Sequence, residues 1–198
     1  MNDIHHGTHH LYFAYGSNMN PDQITSRCYK PEVVAIARLS DHVISFFGYS
    51  KRWDGGEATL ISKPGEDLWG VVYKLSFFDS ERLDSWQDVR LDGTGSYFLF
   101  PTEVVDKDGN NYPVLLYKKF FSGEPLFPST EYLDTIVSGA LSRGIPAGYI
   151  ERLKGIETKP ASFPVPRIFE YERSATFGNN SCDCGSQKKS NNNEPEAA

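Results

Sequence analysis

Apolar and aromatic residues in this chain come mostly in short runs closed by turn formers. LYFAY (11–15) ends at Gly16-Ser17-Asn18. VVAIARL (33–39), HVISFF (42–47), EATLISK (57–63), LWGVVYKL (68–75), YFLFPTEVV (97–105) and YPVLLYKKF (112–120) follow. Runs of this length, rich in β-branched and aromatic residues, predict strands, and clusters such as Pro64-Gly65 and 106–111 predict the turns between them. Many strands on close spacing predict a curled sheet or barrel. Helical spacing interrupts the pattern in three places. Ser76 and Asp79 read as a capping box opening a helix through Trp86, with Leu83 and Trp86 on its apolar side. Ser129 caps a helix over Thr130–Arg143 that carries Leu133, Ile136, Val137, Ala140 and Leu141 before Gly144 ends it. A third runs from Pro146 to Lys154 and is closed by Gly155. Trp69, Trp86 and the Phe pairs at 46–47, 77–78 and 120–121 are assigned to the core.

The apolar pattern dissolves from about Ala161, which divides the chain into a His-rich arm (1–10), one domain (11–160) and an extension (161–198). Beyond about Phe177 the extension is too polar to pack, and disorder is expected there. A length of 198 residues with 39% hydrophobic content suits one core. The formal charge of −6 argues against a nucleic-acid surface, since phosphate binding needs clustered Lys and Arg. A small neutral or zwitterionic partner fits better. No run approaches the roughly 20 apolar residues of a membrane span, and no basic-then-apolar leader opens the chain, so a cytoplasmic setting is expected. Cys28 in the body and Cys182 and Cys184 in the tail read as unpaired thiols. The imidazoles of His5, His6, His9 and His10 suit a transition metal, but in an exposed arm they read as adventitious ligands.

Chemistry enters at YGSN (15–18), directly after a strand, where a Gly-containing turn can aim successive backbone N–H groups at an anion. Alone, four residues recur by chance, and a plain strand-ending turn is the better reading of them. The order of segments adds to it: LYFAYGSNM, GGEATLISKPGEDLWGVVYKL, LDSWQDV, GSYF, then PSTEYLDTIVSGALSRGIPAGYIERLKGI. Over residues 11–156 this resembles the gamma-glutamylcyclotransferase (AIG2-like) family. The resemblance implies an α+β fold, a small mixed β-barrel with flanking helices. It implies a site in which Tyr15, Gly16, Ser17 and Asn18 cradle a γ-glutamyl group, with Tyr97 and Tyr132 beside it. For either tyrosine the alternative is a core aromatic with its hydroxyl at the surface. The implied reaction is attack of the glutamyl α-amine on its own γ-carbonyl, releasing 5-oxoproline and an amine or amino acid. No cofactor or metal is implied, because nucleophile and electrophile share one molecule.

The family's general acid/base is a glutamate in a pattern like L-D-x-x-E-G-V. Here Leu83, Asp84, Ser85, Trp86, Gln87, Asp88 and Val89 stand in those positions, so the glutamate's place falls to Gln87. An amide keeps the shape of a carboxylate but cannot shuttle a proton. Three readings follow: an introduced substitution that silences the enzyme, a natural departure that leaves a non-catalytic γ-glutamyl-binding module, or a transfer of the role to Asp84 or Asp88. Asp is one methylene shorter, and Asp88 lies about 100° around a helix from Gln87. Trp53, Asp54 and Glu57 flank Gly55-Gly56 near the expected pocket mouth, and Glu57 reads as a solvated edge carboxylate.

Overall fold

Strands β1 (His10–Ala14), β2 (Glu32–Ser50), β3 (Gly55–Leu75), β4 (Tyr97–Asp106) and β5 (Asn111–Lys119) close a barrel in the order β1-β3-β2-β4-β5. The computed structural model describes residues 9–120 and 123–168; His5, His6, Cys182 and Cys184, and the disorder expected beyond Phe177, lie outside them. All neighbours pair antiparallel except β1 and β5, which meet in parallel at Tyr12 and Leu115, so the expected mixed barrel is observed.

Seven apolar runs become five strands because two expected breaks bend the sheet instead of ending it. β2 and β3 run as one long ladder from Glu32–Lys74 to Ser50–Gly55, with irregularities at 33/35, 40/42 and 47/49. At the middle irregularity Asp41 takes a left-handed φ of 59° and its carboxylate accepts the Gly65 N–H at 2.7 Å, with Gly65 itself at φ 80°. The Pro64-Gly65 turn therefore forms a rim on a continuous strand pair.

The expected helices appear as α2 (Phe77–Trp86), α3 (Thr130–Ser142) and α4 (Ala147–Lys154), with Ser76 and Ser129 as N-caps and Gly144 left-handed at φ 70°. Two elements were not expected: a 3-10 turn at Ser17–Met19 and helix α1 (Pro21–Arg27). Asn20-Pro21 was the available signal. The Asn20 side chain accepts from the amides of Asp22 and Gln23 at 2.9 and 3.3 Å, and Pro21 fills the first helical position.

The core gathers Phe13, Met19, Ile24, Leu60, Leu68, Leu75, Leu83, Leu116 and Ile136, all essentially solvent-free. Each such side chain contributes roughly 1.5–3 kcal/mol by burial. Phe46 and Phe47 are core as expected. Phe77, Phe78 and Phe120 are not: Phe78 is 75% exposed. The cause for α2 is helical phase. Its buried face is set by Asp79, Ser80 and Leu83, and at about 100° per residue Phe77 and Phe78 fall outside it. Trp69 and Trp86 are only partly buried.

Residues 161–168, assigned to the extension by the sequence, remain tied to the barrel. The Ser162 amide and hydroxyl both donate to Asp54 at 2.6 Å, and the Arg167 amide donates to the Arg52 carbonyl at 2.8 Å. Ser162 and Tyr49 hold the Asp54 carboxyl down at about 2. A depressed folded pKa adds stability above the unfolded value of about 3.9, and this is lost as pH falls through about 2. The Ser162 amide resonance is expected to shift over that window, and to lose the titration in Asp54→Asn; a titration unchanged by Asp54→Asn would contradict the assignment.

Candidate active site

One pocket opens at the barrel end where β1 gives way to the 3-10 turn, and it collects Tyr15, Gly16, Ser17, Asn18, Gln87, Tyr97 and Tyr132, every site residue expected from the sequence. Each is placed by a different local cause. The loop is built first. The Met19 amide donates to the Gly16 carbonyl at 3.0 Å, while the amides of Ser17 and Asn18 find no acceptor among the described residues. Gly139 lets α3 lie against this turn, since a Cβ there would meet the Met19 backbone carbon at 2.7 Å. The Asn18 side-chain Nδ2 donates to the Tyr12 hydroxyl at 2.8 Å.

Behind the loop sits a residue the sequence reading missed. Arg27, at the end of α1, is 3% exposed and donates to the Asn18 and Gln23 side-chain oxygens and to Ser17 Oγ, the last at 3.2 Å. Its guanidinium stacks on Trp86 at 4.1 Å, and Arg52 lies 4.0 Å from the same ring. No carboxylate pairs with Arg27 among the described residues. Burial lowers its pKa to about 9, so it keeps its charge at neutral pH. The loop is thus backed by a desolvated cation. The only advance signal was Arg at the last turn of a helix the sequence reading did not find.

Tyr97 and Tyr132 hold the backbone on both sides of one residue: the Tyr97 hydroxyl donates to the Ala58 carbonyl at 2.6 Å, and the Ala58 amide donates to the Tyr132 hydroxyl at 3.4 Å. Trp53 stacks on Tyr132 with ring centroids 4.2 Å apart. Gly55 and Gly56 permit this approach, because a Cβ on Gly55 would meet the Ser129 amide at 2.6 Å and one on Gly56 would be driven into the Leu126 carbonyl. Tyr15 donates to the Tyr117 carbonyl. Burial raises the pKa of Tyr15, Tyr97 and Tyr132, so all three remain neutral phenols at neutral pH.

Gln87 caps α2 at φ −86°, ψ 4°, its amide bonded to the Leu83 carbonyl at 2.9 Å. Its side chain lines the pocket and makes no hydrogen bond among the described residues. Asp88 then turns left-handed at φ 51° and leaves the pocket. Its carboxylate is taken by Arg90 Nε at 2.8 Å and by the Ser96 amide and hydroxyl at 3.2 and 2.9 Å. Partial burial pushes its pKa up, but these bonds outweigh burial and leave it lowered. Asp84 points elsewhere and accepts the Tyr117 hydroxyl at 2.8 Å. Neither aspartate lines the pocket.

Glu57 departs from expectation. It is not a solvated edge carboxylate: its side chain is 12% exposed, lines the pocket, and pairs with Lys119 at 3.0 Å. Being the third residue of β3, opposite Phe47, it faces the barrel interior, a pleat phase that the two preceding glycines hid. Trp86, assigned to the core, also lines the pocket, as does Tyr117. No cluster of three or more metal-ligating side chains occurs among the described residues. Such a pocket offers amide and phenol donors to an anion and one carboxylate to a cation, the complement of an α-amino acid end.

The comparisons agree with this architecture. The AIG2-like family model matches residues 67–153. The mouse gamma-glutamylcyclotransferase is 34% identical over 151 residues, covering 74% of this chain and 78% of that protein, and the human one matches with the same values. A solved gamma-glutamyl cyclotransferase structure superposes with a TM-score of 0.74 at 31% identity, over 85% of this chain and 98% of that one. With identity at this level, coverage over most of both chains and the same closed barrel, the chain belongs to the gamma-glutamylcyclotransferase family.

Proposed function

We propose that the chain binds a small γ-glutamyl amide, amine or dipeptide in this pocket and cyclises it to 5-oxoproline, releasing the attached amine. The carrying observation is the convergence of the 15–18 loop, Tyr97, Tyr132 and position 87 on one cavity. In this reading the free amides of Ser17 and Asn18, with Arg27 behind them, take the substrate carboxylate. The neutral phenols of Tyr97 and Tyr132 fix the glutamyl chain, so that the amine lies close to its own carbonyl. Orientation of this kind supplies much of the acceleration for a ring closure.

Position 87 is silenced as a proton carrier: Gln87 hydrogen-bonds but does not titrate. Loss of general acid-base help typically lowers the rate by about 10²–10⁴. The test is 5-oxoproline release, followed by mass spectrometry, from a panel of γ-glutamyl amines, amides and dipeptides by the chain and by Gln87→Glu. Release by the unaltered chain supports the reading, with the Glu form expected to be the faster; release by the Glu form alone would mark this chain's site as silenced by Gln87. Binding without release by both would support a non-catalytic binding module, which the amide at position 87 favours. No binding and no release by either would contradict both.

A further inference from the structure

We propose that Glu57 is the proton carrier of this pocket, a catalytic residue supplied from β3 in place of the carboxylate missing at position 87. The inference rests on the cyclotransferase reading above. Glu57 is the one carboxylate among the described residues that line the cavity. The other groups that face it come from five parts of the fold. Lys119 at the end of β5 contributes Nζ at 3.0 Å, and Ser50 at the end of β2 donates to Oε1 at 3.4 Å. Tyr15 after β1, Tyr97 on β4 and Tyr132 on α3 each feel its charge, which adds to burial in raising their pKa values. Those phenols stay protonated and cannot act as bases near neutrality. Asp84 and Asp88 do not line the cavity and are engaged by Tyr117 and Arg90.

Lys119 acts as a positioning residue. Its ammonium is also held over the Tyr97 ring at 4.8 Å, and its side chain is only 9% exposed, so it keeps the carboxylate aimed into the cavity. A Glu57 oxygen takes one proton from the substrate α-ammonium, and the freed lone pair forms the new C–N bond at the γ-carbonyl. The adduct's ring nitrogen loses a second proton to water. Glu57 returns the first proton to the leaving nitrogen as the old C–N bond breaks, and the departing amine takes its last proton from water. One ammonium proton stays on the lactam nitrogen.

The experiment measures kcat and KM against pH for the best substrate of the panel, with the chain as it stands, Glu57→Gln, and Glu57→Gln combined with Gln87→Glu. Expected are release of 5-oxoproline by the unaltered chain and a fall in kcat of about 10²–10⁴ in Glu57→Gln with KM within about threefold. The acidic limb of the pH profile should vanish in that variant, and Gln87→Glu should restore turnover in its background. Should Glu57→Gln fail to fold, Glu57→Asp carries the test: kcat falls while the acidic limb persists. Turnover unchanged by Glu57→Gln would overturn the inference alone. So would release by Gln87→Glu with none by the unaltered chain, or a loss in Glu57→Gln that lies in KM and is not repaired at position 87. Absence of release by every form would overturn the cyclotransferase reading, and this inference with it.

Discussion

Arg27→Leu is expected to reduce affinity for γ-glutamyl ligands by about 10- to 100-fold while changing global stability little. The two effects separate because they have different origins. Removing the guanidinium leaves the Asn18, Ser17 and Gln23 oxygens without their donor, at roughly 1–3 kcal/mol for each buried acceptor left unmade. It also removes a buried cation that no described carboxylate balances, and its desolvation cost is itself several kcal/mol. These terms oppose each other in the free protein. In the complex they do not, because a bound carboxylate would be the missing counter-charge, and a charge-assisted bond is worth about 1.5–3 kcal/mol. Calorimetric titration with a slowly turned-over γ-glutamyl amide and thermal unfolding of the same variant check both halves. Equal affinity, or a stability loss as large as the affinity loss, would contradict the role assigned to Arg27.

Gly56→Ala is expected to destabilise the fold by about 3 kcal/mol and to reduce turnover with it. The obstacle is backbone, not a flexible side chain: the new Cβ meets the Leu126 carbonyl, while the Gly56 amide already donates to Phe127 at 2.8 Å. Overpacking a fixed site costs typically 1–3 kcal/mol. For a domain of this length each kcal/mol lowers Tm by roughly 2–4 °C, so a fall of about 10 °C is expected. The segment that must move leads directly to Ser129, the cap of α3, whose hydroxyl donates to the Trp53 carbonyl. Displacing it would move Tyr132 off Trp53 and Ala58. An unchanged Tm would contradict the close approach.

Much of this is legible in the sequence, and the misses have physical causes. Ser76, Ser129 and Gly144 marked helix ends correctly because caps act through local hydrogen bonds and local φ. The 15–18 loop, Tyr97, Tyr132 and position 87 were found through resemblance; periodicity alone would have stopped at a strand-rich domain. Glu57 was misread because its neighbours carry no side chains: Gly55-Gly56 leave no alternation from which to judge which face of β3 it occupies. Its partner Lys119 lies 62 residues later on β5, a pairing that only barrel closure creates. Arg27 was missed with the helix that carries it. Phe77 and Phe78 were wrongly taken as core because hydrophobicity was read without helical phase.

Ring closure by the substrate's own amine can be followed with a γ-glutamyl dipeptide carrying nitrogen-15 at the glutamyl α-amine. The chain is expected to convert it to 5-oxoproline with the label retained in the ring, together with an unlabelled amino acid. Labelled glutamate in place of labelled 5-oxoproline would show hydrolysis by water and would contradict it.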